Sequence, residues 1–409
     1  MESLREKLRA LHPYESFTKR TAMALSDAEM ARFELHRLTS PAAVFVREKR
    51  FPLDFVHGGA RLAEFLDMTQ HDMVLVHNGD FSAPFCCTDF VFFDAETTGL
   101  AGGSGTYLFL AGLGFFTSDS FVVRQLFLAE YKDEVVFLAE IMRFLLQFNG
   151  IISFNGKTYD VPLLQTRCVL NKLHAELANM AHVDLLYNAR RLWKKSIGEC
   201  DLGHIENRVL GFARKDDVPG SDVPKRFFQF QQTGDIELLH PVFKHNVIDI
   251  LSMVAIAIQS CRQFNLATPA GAEADKVKLF RLFSAHGDEP KAAALVQDSI
   301  DPELLLEYAS LQKKNANWPA AVNIWRSLMT ARQFTESAYL ELAKYYEHIV
   351  FDYSKALDVV ERAEKRRRVL QELGRVTEAI SLDDWAHRKA RLRKKLKNSI
   401  EKAAGSCVY

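Results

Sequence analysis

A chain of 409 residues with 48% hydrophobic and 25% charged side chains has globular composition, which excludes a collagen-like, coiled-coil or largely disordered polymer and leaves room for two or three domains. Lys and Arg number 52 and Asp and Glu 52, so the chain is no polycation and any grip on a polyanion must be local. The six cysteines contain no C-x-x-C pair, which argues for reduced thiols rather than a zinc site or a disulfide framework. Apolar runs such as residues 107–116 stop well short of the roughly 18 residues of a membrane span. Residues 1–16 are too charged for a signal peptide. A soluble, cytoplasmic protein without membrane contact is expected.

In chain order, residues 1–85 form a mixed N-terminal region, with a charged, helix-like start at 3–11, alternating segments at 43–47 and 72–77, and no chemical motif. From 86 to 265 the pattern changes. Runs at 90–93, 108–116, 121–128 and 151–154, rich in Phe, Val and Ile and broken by Gly or Asp-Ser turns, predict strands, the first three forming an antiparallel meander. Helical periodicity follows at 133–148, 160–173, 185–195, 202–210 and 236–263. This order predicts an α/β domain, a ribonuclease H-like mixed sheet with flanking helices. After Thr268-Pro-Ala-Gly271 the chain turns helical, and Ala309 and Ala321 recur as Ala343 and Ala356 at spacings of 34 and 35 residues. That period predicts an all-α, tetratricopeptide-like helical-repeat domain over 272–400, with Trp318, Trp325, Tyr345 and Tyr346 filling the space between helices; an ordinary helical bundle is the alternative. Residues 361–400 hold thirteen Lys or Arg against six Asp or Glu, a run that reads first as a solvated helix face.

Three segments carry the chemistry. Phe90-Val91-Phe92-Phe93-Asp94-Ala95-Glu96 ends an apolar strand in two carboxylates, and period two aims both the same way. Like charges on one buried strand edge repel unless a cation shares them. Asp235-Ile236-Glu237 repeats the spacing without the strand and reads as a helix start. Asp160 closes a strand and turn at 151–160; taken alone it reads as a helix cap. His245 and Asp249 lie four apart, on one face of an apolar helix, where an unpaired carboxylate would be costly and a metal would relieve it.

Asp94, Glu96, Asp160 and Asp249, with His245 beside them, resemble the DnaQ-like or DEDD 3′ to 5′ exonucleases of ribonuclease H-like fold, and within these the YprB group. The resemblance spans residues 40–262 and includes Asp-Ala-Glu-Thr-Thr-Gly-Leu from 94, Phe-Asn-Gly-Lys-Thr-Tyr-Asp from 154, Asp-Val-Pro-Gly-Ser-Asp-Val-Pro from 217 and His-Asn-Val-Ile-Asp from 245. It implies a metal-dependent 3′ to 5′ exonuclease acting on the 3′ end of single-stranded DNA or RNA. The four acids would hold two Mg²⁺ or Mn²⁺ ions about 3.5–4 Å apart, one to activate water and one to steady the leaving oxygen. His245 would orient or deprotonate the water. Thr97, Gly99 and Leu100 would touch the terminal nucleotide, Asn155 and Lys157 its phosphate, and the helical repeats a protein partner. The stretch 182–211 also resembles the proofreading domain of family B DNA polymerases, whose last motif is Tyr-x-x-x-Asp. Here His245 stands in the tyrosine's place, whereas the histidine subclass spaces its histidine one residue further from the acid. Asp184 is expected to support the site rather than to bind metal, and Gly102, Gly103 and Gly105 to make a turn. Arg190, Arg191, Lys194 and Lys195 offer a basic helix surface. Two other readings stand against the exonuclease: a ribonuclease H-like endonuclease, and a catalytically silent adaptor, against which every metal-site position being filled argues.

Overall fold

The computed structural model describes residues 25–81, 84–99, 105–174, 177, 180–266, 271–374 and 382–405. The charged start at 3–11, Leu100, Gly102, Gly103 and Cys407 lie outside them. The chain divides into two units, residues 1–275 and 276–409.

In the first unit the strands are β1 (His36–Arg37), β2 (Val44–Pro52), β3 (Val56–His57), β4 (Ala60–Arg61), β5 (Phe90–Thr97), β6 (Leu108–Phe116), β7 (Ser120–Leu128), β8 (Gly150–Ser153) and β9 (Ala181–Asp184). Seven of them form one mixed sheet in the order β1-β2-β7-β6-β5-β8-β9, and β3 pairs with β4. β5, β6 and β7 make the antiparallel meander, while β8 and β9 run parallel to β5. β2 pairs with β7 from Val44 opposite Leu128 to Pro52 opposite Ser120, so the sheet draws on residues before 86.

The strands read as continuous apolar runs because both faces are covered. Val91, Phe93, Leu113, Leu126 and Leu128 meet Phe137, Ile141 and Leu164 of the helices Glu134–Leu145 and Asp160–Leu170 on one face. Phe45, Phe109 and Phe127 meet Phe227, Phe230 and Phe243 on the other. The alternation along β5 puts Val91 and Phe93 on the first face, so Phe92, Asp94 and Glu96 look out from the second.

That second face is crossed by the helix His240–Phe264, which packs against β5 and β6. The stretch Ile236–Phe264 is long and apolar enough to cross a membrane, but 78% of its most apolar window is buried within the protein. Searching for uninterrupted apolar runs passes over it because Asn246, Asp249 and Ser252 break the pattern. Two glycines let it approach: a Cβ on Gly112 would lie 2.3 Å from the Asn246 side chain, and one on Gly114 2.4 Å from Ile250.

The segment 72–77, alternating in sequence, belongs to the helix Gln70–His77, where Thr69 and Asp72 form a capping box. Asp235 caps the short helix Ile236–Leu239, its carboxylate accepting from the Glu237 N–H at 3.0 Å, as its context led one to expect. The five described cysteines form no disulfide.

The second unit is all-helical: Lys276–Ala285, Glu289–Val296, Pro302–Lys314, Trp318–Thr330, Glu336–His348, Tyr353–Glu372 and Leu382–Gly405. Ala309, Ala321, Ala343 and Ala356 are fully buried in its core beside Trp325 and Tyr346. Part of its basic run is internal. Buried Glu347 accepts hydrogen bonds from Arg388, Arg391 and Lys395, each at 2.9 Å, and Glu336 accepts from Arg367 at 2.9 Å and from the Trp385 indole at 2.6 Å.

Candidate functional site

The strand β5 delivers Asp94 and Glu96, the first residue of Asp160–Leu170 delivers Asp160, and the second and third turns of His240–Phe264 deliver His245 and Asp249. Glu96, His245 and Asp249 bring ligand atoms to within 4.8 Å of one another. His245 Nε2 lies 3.4 Å from Asp249 Oδ2 and 4.0 Å from Glu96 Oε1. Asp94 is joined to the same helix by Asn246, whose amide donates to Asp94 Oδ2 at 2.8 Å.

The acids crowd one another. Burial holds the Asp94 and Glu96 carboxyls well above the usual range; neighbouring Asp249 and Asp160 push Asp94 further, and Asp94, Asp249 and Asp160 push Glu96. Burial also lifts Asp160 to about 7, against its own backbone N–H and aided by the charges of Asp184 and Asp249. Asp160 is not the helix cap: Tyr159 holds that position and makes no side-chain cap bond. A cluster of carboxyl oxygens that penalise one another's ionisation is the donor set a hard divalent cation stabilises, and the residues fit one. Carboxylates and a single imidazole, with no thiolate, suit Mg²⁺ or Mn²⁺ better than softer metals.

Around this cluster lies a layer of polar side chains. Asn246, fully buried, accepts from Gln125 Nε2 at 2.8 Å, and Gln125 in turn accepts from Arg47 at 3.1 Å. Arg214 donates through Nε and Nη2 to Glu206 at 2.6 and 2.7 Å, through Nη1 to Asp217 at 3.0 Å, and through Nη2 to Asp249. Glu206 is 1% exposed and also accepts from Ser252 at 2.5 Å. Asp217 meets His245 Nδ1 at 2.9 and 3.0 Å. Burial alone would raise Asp217, but His245 and Arg214 hold it below the ordinary carboxylate range.

Asp184 supports the turn after β8. Its carboxylate accepts the Asn155 and Lys157 N–H groups at 2.8 and 3.0 Å and caps the helix Leu185–Ile197 at the Leu186 N–H, 3.0 Å. Asn155 adopts φ +66° there. With both backbone N–H groups taken, Asn155 and Lys157 can offer phosphate only their side chains. The Thr97 hydroxyl donates to the Gly99 carbonyl at 2.8 Å, shaping the turn at the strand end, and Leu100 lies outside the described residues. Of the basic helix surface, Arg190, Lys194 and Lys195 face outward, whereas Arg191 turns inward and donates to the Leu75 carbonyl at 3.1 Å; burial lowers its pKa to about 10.

Sequence reasoning did not assign roles to Asn246, Gln125, Glu206 or Arg214. Asn246 could have been found as a polar residue on the apolar side of its helix. Arg214 sits in an irregular segment with no periodicity to read.

A model of the RNase_H superfamily matches residues 91–260. The chain is 30% identical over 333 residues, 78% of its length and 79% of the relative's, to the uncharacterized protein YprB of Bacillus subtilis (strain 168). Among solved structures, the family B DNA polymerase of the hyperthermophilic archaeon Pyrobaculum calidifontis aligns at 14% identity and a TM-score of 0.32, covering 58% of this chain and only 28% of the polymerase.

Proposed function

Since the chain belongs to the family of YprB and its residues 91–260 match the RNase_H superfamily, we propose that it is a metal-dependent 3′ to 5′ exonuclease acting on single-stranded DNA or RNA in the cytoplasm. Residues 86–265, completed by strands from the N-terminal region, carry the chemistry. The helical segment 272–400, read as tetratricopeptide-like repeats, recruits a protein partner or presents the strand.

The observation that carries this reading is the convergence of Glu96, His245 and Asp249 to within 4.8 Å, with the charges of Asp94 and Asp160 acting on the same cluster. Asp94, Glu96, Asp160 and Asp249 would hold two divalent ions, which when bound supply charge neutralisation for the phosphate and lower the pKa of water. Asn246 fixes the Asp94 carboxylate at 2.8 Å, and Arg214 engages one oxygen of Asp249, leaving Oδ2 turned to His245. His245 Nε2 faces the acids and takes a proton from the attacking water. Thr97, Gly99 and Leu100 pack the terminal nucleotide, with the Asn155 and Lys157 side chains on its phosphate.

Incubating 5′-labelled single strands with Mn²⁺ tests it. A descending ladder is expected, lost in Asp94→Asn; one internal cut would indicate an endonuclease, and an untouched strand an adaptor.

A further inference from the structure

Residues 211–219 link the helices Leu202–Arg208 and Val223–Thr233 without regular structure, yet they send Arg214 and Asp217 into the cluster. Asp217 opens the motif Asp-Val-Pro-Gly-Ser-Asp-Val-Pro, which the proposed chemistry leaves without a role. Its two carboxylate oxygens stand 2.9 and 3.0 Å from His245 Nδ1. Carboxylate oxygens only accept, so a bare Nδ1 at that distance would set lone pair against lone pair. Arg214 Nη1 lies 3.1 Å from the same nitrogen and gives one of its two hydrogens to Asp217 Oδ2 at 3.0 Å; the other could serve Nδ1, but the two carboxylate oxygens lie nearer, and only a hydrogen on Nδ1 answers them. The arrangement favours two donors converging on one carboxylate, with the hydrogen of the imidazole on Nδ1.

We propose that Asp217 is a positioning residue for His245: it fixes the Nδ1–H tautomer and turns Nε2, with its lone pair, towards Glu96 and Asp249. Arg214 locks the arrangement, since its fork is anchored on buried Glu206 and spans Asp217 and Asp249 together. A carboxylate behind an imidazole sets which ring nitrogen can accept a proton and strengthens that nitrogen as a base. The role rests on the nuclease reading of this site, but the tautomer can be measured without it.

The test uses the full-length protein. Long-range ¹⁵N correlation spectra of the metal-free chain, recorded where the imidazole is neutral and assigned by the signal lost in His245→Gln, should show the Nδ1–H tautomer of His245. In Asp217→Asn, whose amide can donate to Nδ1, the signal should move to the Nε2–H form. Under Mn²⁺, Asp217→Asn should lower kcat by about 10- to 100-fold, with KM and the Mn²⁺ midpoint held within about twofold. Asp217→Glu should restore part of the rate. In a His245→Gln background, Asp217→Asn should cost nothing further, because the two act as one unit. An Nε2–H tautomer in the wild type overturns the proposal, as does an Asp217→Asn loss that persists undiminished without His245. Should the wild-type chain degrade no strand, the nuclease reading fails while the spectra still decide what Asp217 does.

Discussion

Asp160 begins its helix without capping it, and its carboxyl, lifted by burial to about 7, carries a stability signature. A carboxyl whose pKa is raised on folding favours the native state while protonated. The contribution is complete below the unfolded value, near 3.8, and is lost as pH rises through about 7. Asp94 and Glu96, held up by burial and by their neighbours, act in the same direction. The metal-free protein should therefore lose thermal stability between about pH 4 and 7 from this cluster. A divalent ion must displace the protons, so its affinity should rise over the same window. Thermal melts with and without Mg²⁺ should show a larger shift at pH 8 than at pH 5.5; a shift equal at both would mean that these carboxyls do not bind the ion. Glu347 gives the opposite case. Burial would raise it, but hydrogen bonds from Arg391 and Lys395 hold it at about 2. Its contribution is present above the unfolded value near 4.5 and is lost as pH falls towards 2, so Glu347→Gln should weaken the helical unit at pH 7 and make little difference in strong acid, as read by circular dichroism.

Between elements, the contact that builds the site is the helix His240–Phe264 lying close on β6. Gly112 stands opposite Asp94 in the sheet, and a Cβ there would meet Asn246 Oδ1 at 2.3 Å. Gly112→Ala should cost about 1–3 kcal/mol by overpacking, read as a lower urea midpoint, and should also lower activity because the amide that orients Asp94 is displaced. Gly220→Ala, with nothing within 4 Å of the added carbon and no positive φ, should leave both unchanged. The same contact explains how much could be read from sequence. Asp94 and Glu96 were legible because strand alternation and their position after an apolar run leave one face for both, and His245 with Asp249 because helical spacing stacks them. Strands β5 to β8 and the large helices were legible from periodicity. β9 was missed because only four residues, two of them His182 and Asp184, make up the strand, too few and too polar to register. The helix Gln70–His77 has apolar residues on no single face, so its alternation misled. Arg214 and Glu206 come from separate segments with no local signature, and only folding shows that one guanidinium joins three acids.

At the scale of the whole chain, the neutral total conceals a division. Residues 1–275 carry 28 Lys and Arg against 34 Asp and Glu, whereas residues 276–409 carry 24 against 18. On net charge alone, the unit that holds the acid cluster should repel phosphate until cations reach it, and the helical unit should attract phosphate without them. Much of the latter's basic charge is used internally, on Glu336, Glu347, Glu361 and Glu364. Lys365 and Arg368, three apart on Tyr353–Glu372, and Lys394 on Leu382–Gly405 remain exposed, and the two helices pack against each other. A strand held there would displace counterions, with log affinity falling against log salt by about 0.7 for each phosphate neutralised. Reversing all three charges, Lys365→Glu, Arg368→Glu and Lys394→Glu, should reduce the salt slope of single-strand binding by about 2, measured by fluorescence anisotropy in EDTA. The kcat with Mn²⁺ at saturating strand should not change, since none of the three residues belongs to the acid cluster. An unchanged slope would make this a solvated face, leaving strand capture to the Lys157 side of the sheet. A reduced slope would make the helical unit the part of the chain that gathers polyanion before the metal-loaded acids act on it.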